Sequence, residues 1–219
     1  VAANCWILRA EDQSEALVID PGDQAQVIAE AVRGLDLVGI ALTHAHFDHL
    51  LALPELARRL DAPIIAHRYA PTVWAHELEH LERAGHWDAG TGTAALLTSG
   101  ENLHPEADWQ PWDGIVDLVI EHGSQIRLGS LNIDVLATPG HTPDGLTFAA
   151  DGHLFTGDTL FPGGPGLTGP QWEMSDFTTI MGSVSSLFKR DASVHPGHGP
   201  STTTATERPH LATWKQRGW

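Results

Sequence analysis

Thr43-His44-Ala45-His46-Phe47-Asp48-His49 follows directly on the apolar run Leu37–Leu42, which reads as a buried strand. Helical spacing begins at Leu50 and continues to about Leu60. The histidine-rich stretch therefore lies between the end of a strand and the start of a helix. In extended backbone, residues two apart point the same way, so His44 and His46 can share one metal ion. A helical turn after them swings Asp48 and His49 toward a neighbouring position. Four nitrogen or oxygen donors within the six residues of H-x-H-x-D-H read as a ligand pattern. Histidine is a minor residue and a frequent metal ligand, so a merely polar loop is a poor account of it.

Three more donors stand at the ends of later β patterns. They are His141 in Thr138-Pro139-Gly140-His141-Thr142, Asp158 in Thr156-Gly157-Asp158-Thr159, and His198 in Pro196-Gly197-His198-Gly199. Each sits beside glycine, where the backbone can approach an ion closely. Around them the chain alternates strand and helix patterns. Residues 5–9 and 16–19 read as strands, and 24–33 as a helix with Val27, Ile28, Ala31 and Val32 on its apolar face. A strand at 63–66 and a helix at 70–84 follow. The second half reads as strands at 115–120, 125–128, 131–137, 145–149 and 152–156, then helices at 176–189 and 204–217 around a strand at 192–195. Each half is a β block followed by helices. That order predicts an α/β fold with two sheets face to face and helices outside.

The 219 residues suffice for a packed core without disulfides. Twelve Lys and Arg against 28 Asp and Glu leave a net charge of −16, which excludes a broad basic face for nucleic acid. No apolar run reaches the roughly 18 residues of a membrane span. Cys5 is the one cysteine, so neither an internal disulfide nor a cysteine-rich zinc module can form. Cys5 itself reads as a strand residue and not a ligand, and a reducing, cytoplasmic compartment is expected. The chain begins at Val1 rather than Met, which leaves an upstream segment open.

The ordered set T-H-x-H-x-D-H, T-P-G-H-T, T-G-D-T-L-F and P-G-H-G resembles the metallo-β-lactamase superfamily, and within it the glyoxalase II-like hydrolases. Asn4-Cys5 and Ile19-Asp20-Pro21-Gly22 match the opening strands of that family, so the resemblance runs from residue 4 to about residue 200. It implies one domain over 1–219, a four-layered αβ/βα sandwich of two mixed sheets with the metals in a cleft at one edge. It also implies roles. His44, His46 and His141 would hold a first metal. Asp48, His49 and His198 would hold a second. Asp158 would bridge both, and Asp20 would be the buried carboxylate that supports the ligand loop.

The implied chemistry is hydrolysis. Nitrogen and oxygen donors suit two divalent ions, zinc first, with iron or manganese also compatible. A metal-bridging hydroxide, held with the help of Asp48 and Asp158, would attack a thioester or ester-like carbonyl of a small molecule. A thiolate leaves without a dedicated general acid. Lactonases that open homoserine lactones share all seven ligands, and persulfide dioxygenases with one iron retain a similar pattern, so both stay open as alternatives. A relative that keeps the metals without turnover is a third. Asp158 argues against antibiotic hydrolysis, because true β-lactamases usually lack an acid there. Longer glyoxalase II enzymes hold glutathione with a C-terminal helical domain, which the sequence up to Trp219 is expected to lack. Phe148 and Gly145 also depart from many relatives, so another carrier thiol is equally compatible.

Residues 85–114 lack a clear period and carry three tryptophans, Trp87, Trp109 and Trp112. They read either as a cleft-covering insertion that offers tryptophan to an acyl group or as an insertion packing its own small core. Phe161–Gly166, just after Asp158, reads as a cleft-lining loop or a plain turn. The histidines outside the motifs, among them His76, His80, His153 and His195, read as spectators.

Overall fold

The computed structural model describes residues 3–11, 13–83, 110–170 and 173–218, together with the backbone of four two-residue strands between 87 and 102. The first sheet has the order β1-β2-β3-β4-β9, where β1 is Trp6–Arg9, β2 Glu15–Ile19, β3 Asp36–Ala41, β4 Ile64–His67 and β9 Leu118–Ile120. β1 pairs antiparallel with β2, and the other neighbours are parallel. Between them run α1 (Ala25–Ala31), α2 (Phe47–Leu50), α3 (Leu53–Leu60) and α4 (Ala70–Arg83). The short strands β5 (Trp87–Asp88), β6 (Thr93–Ala94), β7 (Leu97–Thr98) and β8 (Glu101–Asn102) form two small ribbons.

The second sheet has the order β10-β11-β12-β13-β16-β17, with β10 Gln125–Leu128, β11 Leu131–Ala137, β12 Leu146–Ala150, β13 His153–Gly157, β16 Ser193–Pro196 and β17 Thr202–Thr203. Only β13 and β16 run parallel in it. The ribbon β14 (Leu160–Phe161) and β15 (Gly164–Pro165) follows β13. On the outside lie α5 (Phe177–Leu187), α6 (Thr204–Glu207) and α7 (Leu211–Arg217). Asp176 caps α5 by accepting the Thr179 N–H at 2.7 Å.

Strand alternation builds the layers. Leu17, Ile19, Ala41 and Ile65 of the first sheet face Ile133, Val135, Phe148 and Phe155 of the second. Their neighbours Val18, Ile40 and Ala66 point the other way, onto Ile28, Leu56 and Trp74 of the first helical layer. Ala149, Leu154 and Val194 likewise face Ile180, Val184 and Trp214 of the other helical layer. Period-two burial on both faces of both sheets is what produces four layers. Among the described residues no helix is long and apolar enough to cross a membrane.

Four expectations change. The buried face of α1 is Ala25, Ile28 and Val32, while Val27 is 60% exposed and Ala31 is exposed as well. The strand expected at 115–120 begins at Leu118 and joins the first sheet, not the second. Asp117 directs it there, since its carboxylate accepts the Ile64 N–H at 2.8 Å and its own N–H donates to the Ile64 carbonyl at 3.0 Å. The C-terminal helix is broken by a 3₁₀ turn at Arg208–His210, where Pro209 removes a backbone donor. Trp112 packs into the core beside Trp74, whose indole N–H donates to the Trp112 carbonyl at 2.7 Å. It is therefore not a cleft residue. Trp109 and the Trp87 side chain lie outside the described residues, so the rest of the 85–114 expectation does too.

Candidate metal centre

The C-terminal ends of β2, β3, β11, β13 and β16 supply the site. β2 and β3 are parallel, β13 and β16 are parallel, and β11 runs with β13 because β12 opposes both. Asp20, His44, His141, Asp158 and His198, which follow these strands, therefore meet at one edge of the sandwich. His46 sits at the N-terminus of α2, and Asp48 and His49 lie in its first turn.

All seven sequence-predicted donors converge. His141 Nε2 is 3.0 Å from His46 Nδ1, and His198 Nε2 is 3.3 Å from His49 Nε2 and 3.2 Å from Asp48 Oδ2. Asp158 lies between the two groups. Its Oδ1 is 3.5 Å from His49 Nε2, and its Oδ2 is 3.6 Å from His141 Nε2 and 3.5 Å from His198 Nε2. Three trios have donor atoms all within 4.8 Å of one another: His44, His46 and His141; His44, His49 and Asp158; and Asp48, His49 and His198. Ligands about 2.1 Å from a tetrahedral ion stand ~3.4 Å apart, which is the spacing seen here.

The outer hydrogen bonds fix which ring nitrogens face inward. The Leu167 carbonyl, 2.7 Å from His141 Nδ1, can only accept, so that nitrogen carries the proton and Nε2 presents a lone pair. His49 Nδ1 donates to Asp20 Oδ2 at 3.0 Å. The Thr43 hydroxyl donates to the same oxygen at 2.6 Å and so accepts from His44 Nδ1 at 3.1 Å. The Thr43 N–H donates to Asp20 Oδ1 at 2.7 Å. One buried carboxylate thus orients two histidines, His49 directly and His44 through Thr43.

His44 Nε2 and Asp158 Oδ1 are buried with no hydrogen-bond partner. Leaving such atoms unmatched costs a few kcal/mol each unless something else satisfies them. A cation does so for both, and the residues therefore fit a bound metal. The titration pattern agrees. Burial, then the neighbouring histidines, holds His44 well below its ordinary value. Burial and His141 hold His46 at about 3. Burial lowers His141 as well. Burial opposes charge on Asp158, yet His49, His141 and His198 keep it well below the usual carboxylate range. Neutral imidazoles around ionised carboxylates are the state a metal requires. His49 and His198 depart from this. Burial works against charge on His198, but the hydrogen bond with Asp48 and the Asp158 charge raise it. Burial works against charge on His49 as well, but Asp158 and Asp20 outweigh burial and raise it. The field that draws a proton to His49 draws a cation equally well.

Gly197 shows how tightly the backbone closes on the centre. A Cβ there would overlap Asp158 Oδ1 and lie 2.6 Å from His49 Cε1. Phe161, in the loop read as cleft-lining, stacks near His198 with ring centroids 6.4 Å apart.

Two carboxyls were missed by reading the sequence. Glu77 of α4 puts Oε1 4.0 Å from His46 Nε2 and accepts the Phe47 N–H through Oε2 at 3.4 Å. Burial pushes it up to about 7. Asp144, buried in the turn after His141, is likewise pushed up to about 7 by burial. The only sequence signals were a carboxyl on the apolar side of a helix and another in a Pro143-Asp144-Gly145 turn.

A family model described as the metallo-beta-lactamase superfamily matches residues 1–207. The probable metallo-hydrolase YqgX of Bacillus subtilis (strain 168) is 32% identical over 216 residues, 95% of this chain and 90% of that protein. The hydroxyacylglutathione hydrolase GloC of Haemophilus influenzae is 27% identical, over 94% of this chain and 89% of that one. Two solved structures superimpose well. TTHA1623 in a di-iron-bound form is 27% identical, with a TM-score of 0.72 over 94% of this chain and 92% of that one. The BLEG-1 B3 metallo-beta-lactamase is 26% identical, with a TM-score of 0.71 over 96% and 93%.

Proposed function

Because the chain belongs to the metallo-beta-lactamase superfamily, we propose that it is a dinuclear metallohydrolase that cleaves a small-molecule thioester, of the glyoxalase II-like type. The carrying observation is Asp158, whose two oxygens lie 3.5–3.6 Å from histidines of both donor groups. In this reading His44, His46 and His141 would hold one divalent ion and Asp48, His49 and His198 the other, with Asp158 placed between the two groups. Bound metals supply a Lewis acid for the carbonyl and make hydroxide available at neutral pH.

The protein's own groups set the stage for that chemistry. Asp20 and the Leu167 carbonyl hold protons on the outer ring nitrogens, so the inner lone pairs stay aimed at the ions. Asp48 and Asp158 stay ionised and offset the charge of the ions. Asp20, Asp48 and Asp158 are each engaged by histidines, so none of these three is the acid for a leaving group in this reading, which suits a thiolate. The resemblance to a hydroxyacylglutathione hydrolase over nearly the full chain supports a thioester. Phe148 is fully buried between the sheets, so its identity does not bear on the carrier thiol.

A substrate panel tests the reading. Acyl thioesters, homoserine lactones and β-lactams are offered to the metal-loaded protein. The reading expects kcat/KM for a thioester to exceed the others by at least tenfold. Preferred lactone or β-lactam turnover overturns it, as does oxygen consumption with a persulfide and no hydrolysis.

A further inference from the structure

Five residues of α4 read His76-Glu77-Leu78-Glu79-His80, an H-E-x-x-H sequence that the main centre does not use for its donors. Residues four apart on a helix share a face with Cβ atoms roughly 5–6 Å apart, the spacing by which two histidines close on one ion. Across from this face stands Glu173, in the segment before α5. Its Oε2 lies 2.9 Å from His76 Nε2. The hydrogen bond from His76 is also the main reason its carboxyl sits below the usual range, with Arg83 and His80 adding to it. His76, His80 and Glu173 line one cavity of about 320 Å³ that also touches His46 and His141.

We propose that His76, His80 and Glu173 form a further divalent transition-metal site on the wall of this cavity, beside the main centre. Two imidazoles and one carboxylate suit zinc, nickel or copper rather than the oxygen-seeking magnesium and calcium. His76 and Glu173 are already in contact. His80 is exposed and lies one helical turn from His76, and in this proposal a change of side-chain rotamer completes the trio. Glu77 is not the third donor, since its Oε1 points to His46. The competitor is Arg83, whose Nη1 lies 3.8 Å from Glu173 Oε1. Both of those side chains are more than half exposed, so displacing that pair is cheap. Three protein donors leave an open position for water or an anion. The rest of the cavity is lined by Glu77, His46, His141 and the apolar Phe47, Val73 and Met174, so an ion there supplies the cationic group that an anionic molecule needs.

The test uses tag-free full chain with the main centre filled with Zn²⁺ and excess metal removed. Further Zn²⁺ is titrated by equilibrium dialysis with elemental analysis. One additional equivalent is expected. His76→Ala and His80→Ala should each weaken it at least tenfold, leaving main-centre content and circular dichroism unchanged. His153→Ala, at the separate His153–His195 pair, should leave it intact. The proposal is overturned if no additional equivalent binds, if the α4 variants retain it, or if His153→Ala removes it.

Discussion

Asp20 Oδ2 lies 3.0 Å from His49 Nδ1, and both side chains are shut off from water. The same carboxylate takes the Thr43 hydroxyl and through it fixes His44. Asp20 adopts a left-handed backbone, φ 50°, which asparagine tolerates better than most residues. Asp20→Asn therefore keeps the turn and removes the charge that orients two ligands. Metal affinity should fall about 10–100-fold, the usual effect of losing such support. Competition against a fluorescent chelator reads this directly, and unchanged affinity would show that Asp20 serves only the fold.

Gly197→Ala places a methyl group against Asp158 Oδ1 and His49 Cε1. The two donors must move apart, and overpacking of this kind costs about 1–3 kcal/mol. The expected outcome is loss of at least one bound metal per chain together with a lower Tm. Full metal content in this variant would mean that the loop after β16 yields more easily than its contacts imply.

Trp112 and Trp74 belong to the core between the first sheet and its helices. Truncating Trp112 to alanine should cost about 3–5 kcal/mol in denaturant unfolding. At a temperature where the variant remains folded, KM for the thioester should stay within twofold. A large rise in KM with unchanged stability would return Trp112 to the cleft.

The Cys5 thiol is pushed up to about 12, first by burial and then by the Asp20 charge. A raised pKa keeps the proton on sulfur through neutral pH, and only about one part in ten thousand is thiolate at pH 8. Iodoacetamide at pH 8 should therefore label the native protein far more slowly than the unfolded chain, with the rate climbing toward pH 10. Equal rates in the two states would contradict the burial that raises it.

Much of this molecule was legible in its sequence because the signals were local. The apolar run at 16–19 and the alternating run at 131–137 announced strands, and the spacing of H-x-H-x-D-H announced four metal-capable donors that the structure brings together. What stayed hidden depended on long-range placement. Leu118–Ile120 resembled its β neighbours downstream, but Asp117 ties it to Ile64 and hence to the other sheet. Val27 is apolar yet faces water, since Ala25, Ile28 and Val32 already fill the contact of α1. Glu77 reaches His46 across 31 residues of chain, and nothing in its neighbours marks that contact. His76 and His80 read as spectators because their third partner, Glu173, lies almost a hundred residues away.

The central claim, two ions working together at Asp158, is tested most directly by activity against metal occupancy. Metal-free protein is reconstituted stepwise with Zn²⁺ at the main centre, with bound metal and thioester hydrolysis measured at each step, and Asp158→Ala serves as the reference. The account predicts that activity climbs until two equivalents are bound and that Asp158→Ala stays at least a hundredfold lower throughout. Full activity at one equivalent, or in Asp158→Ala, would contradict it.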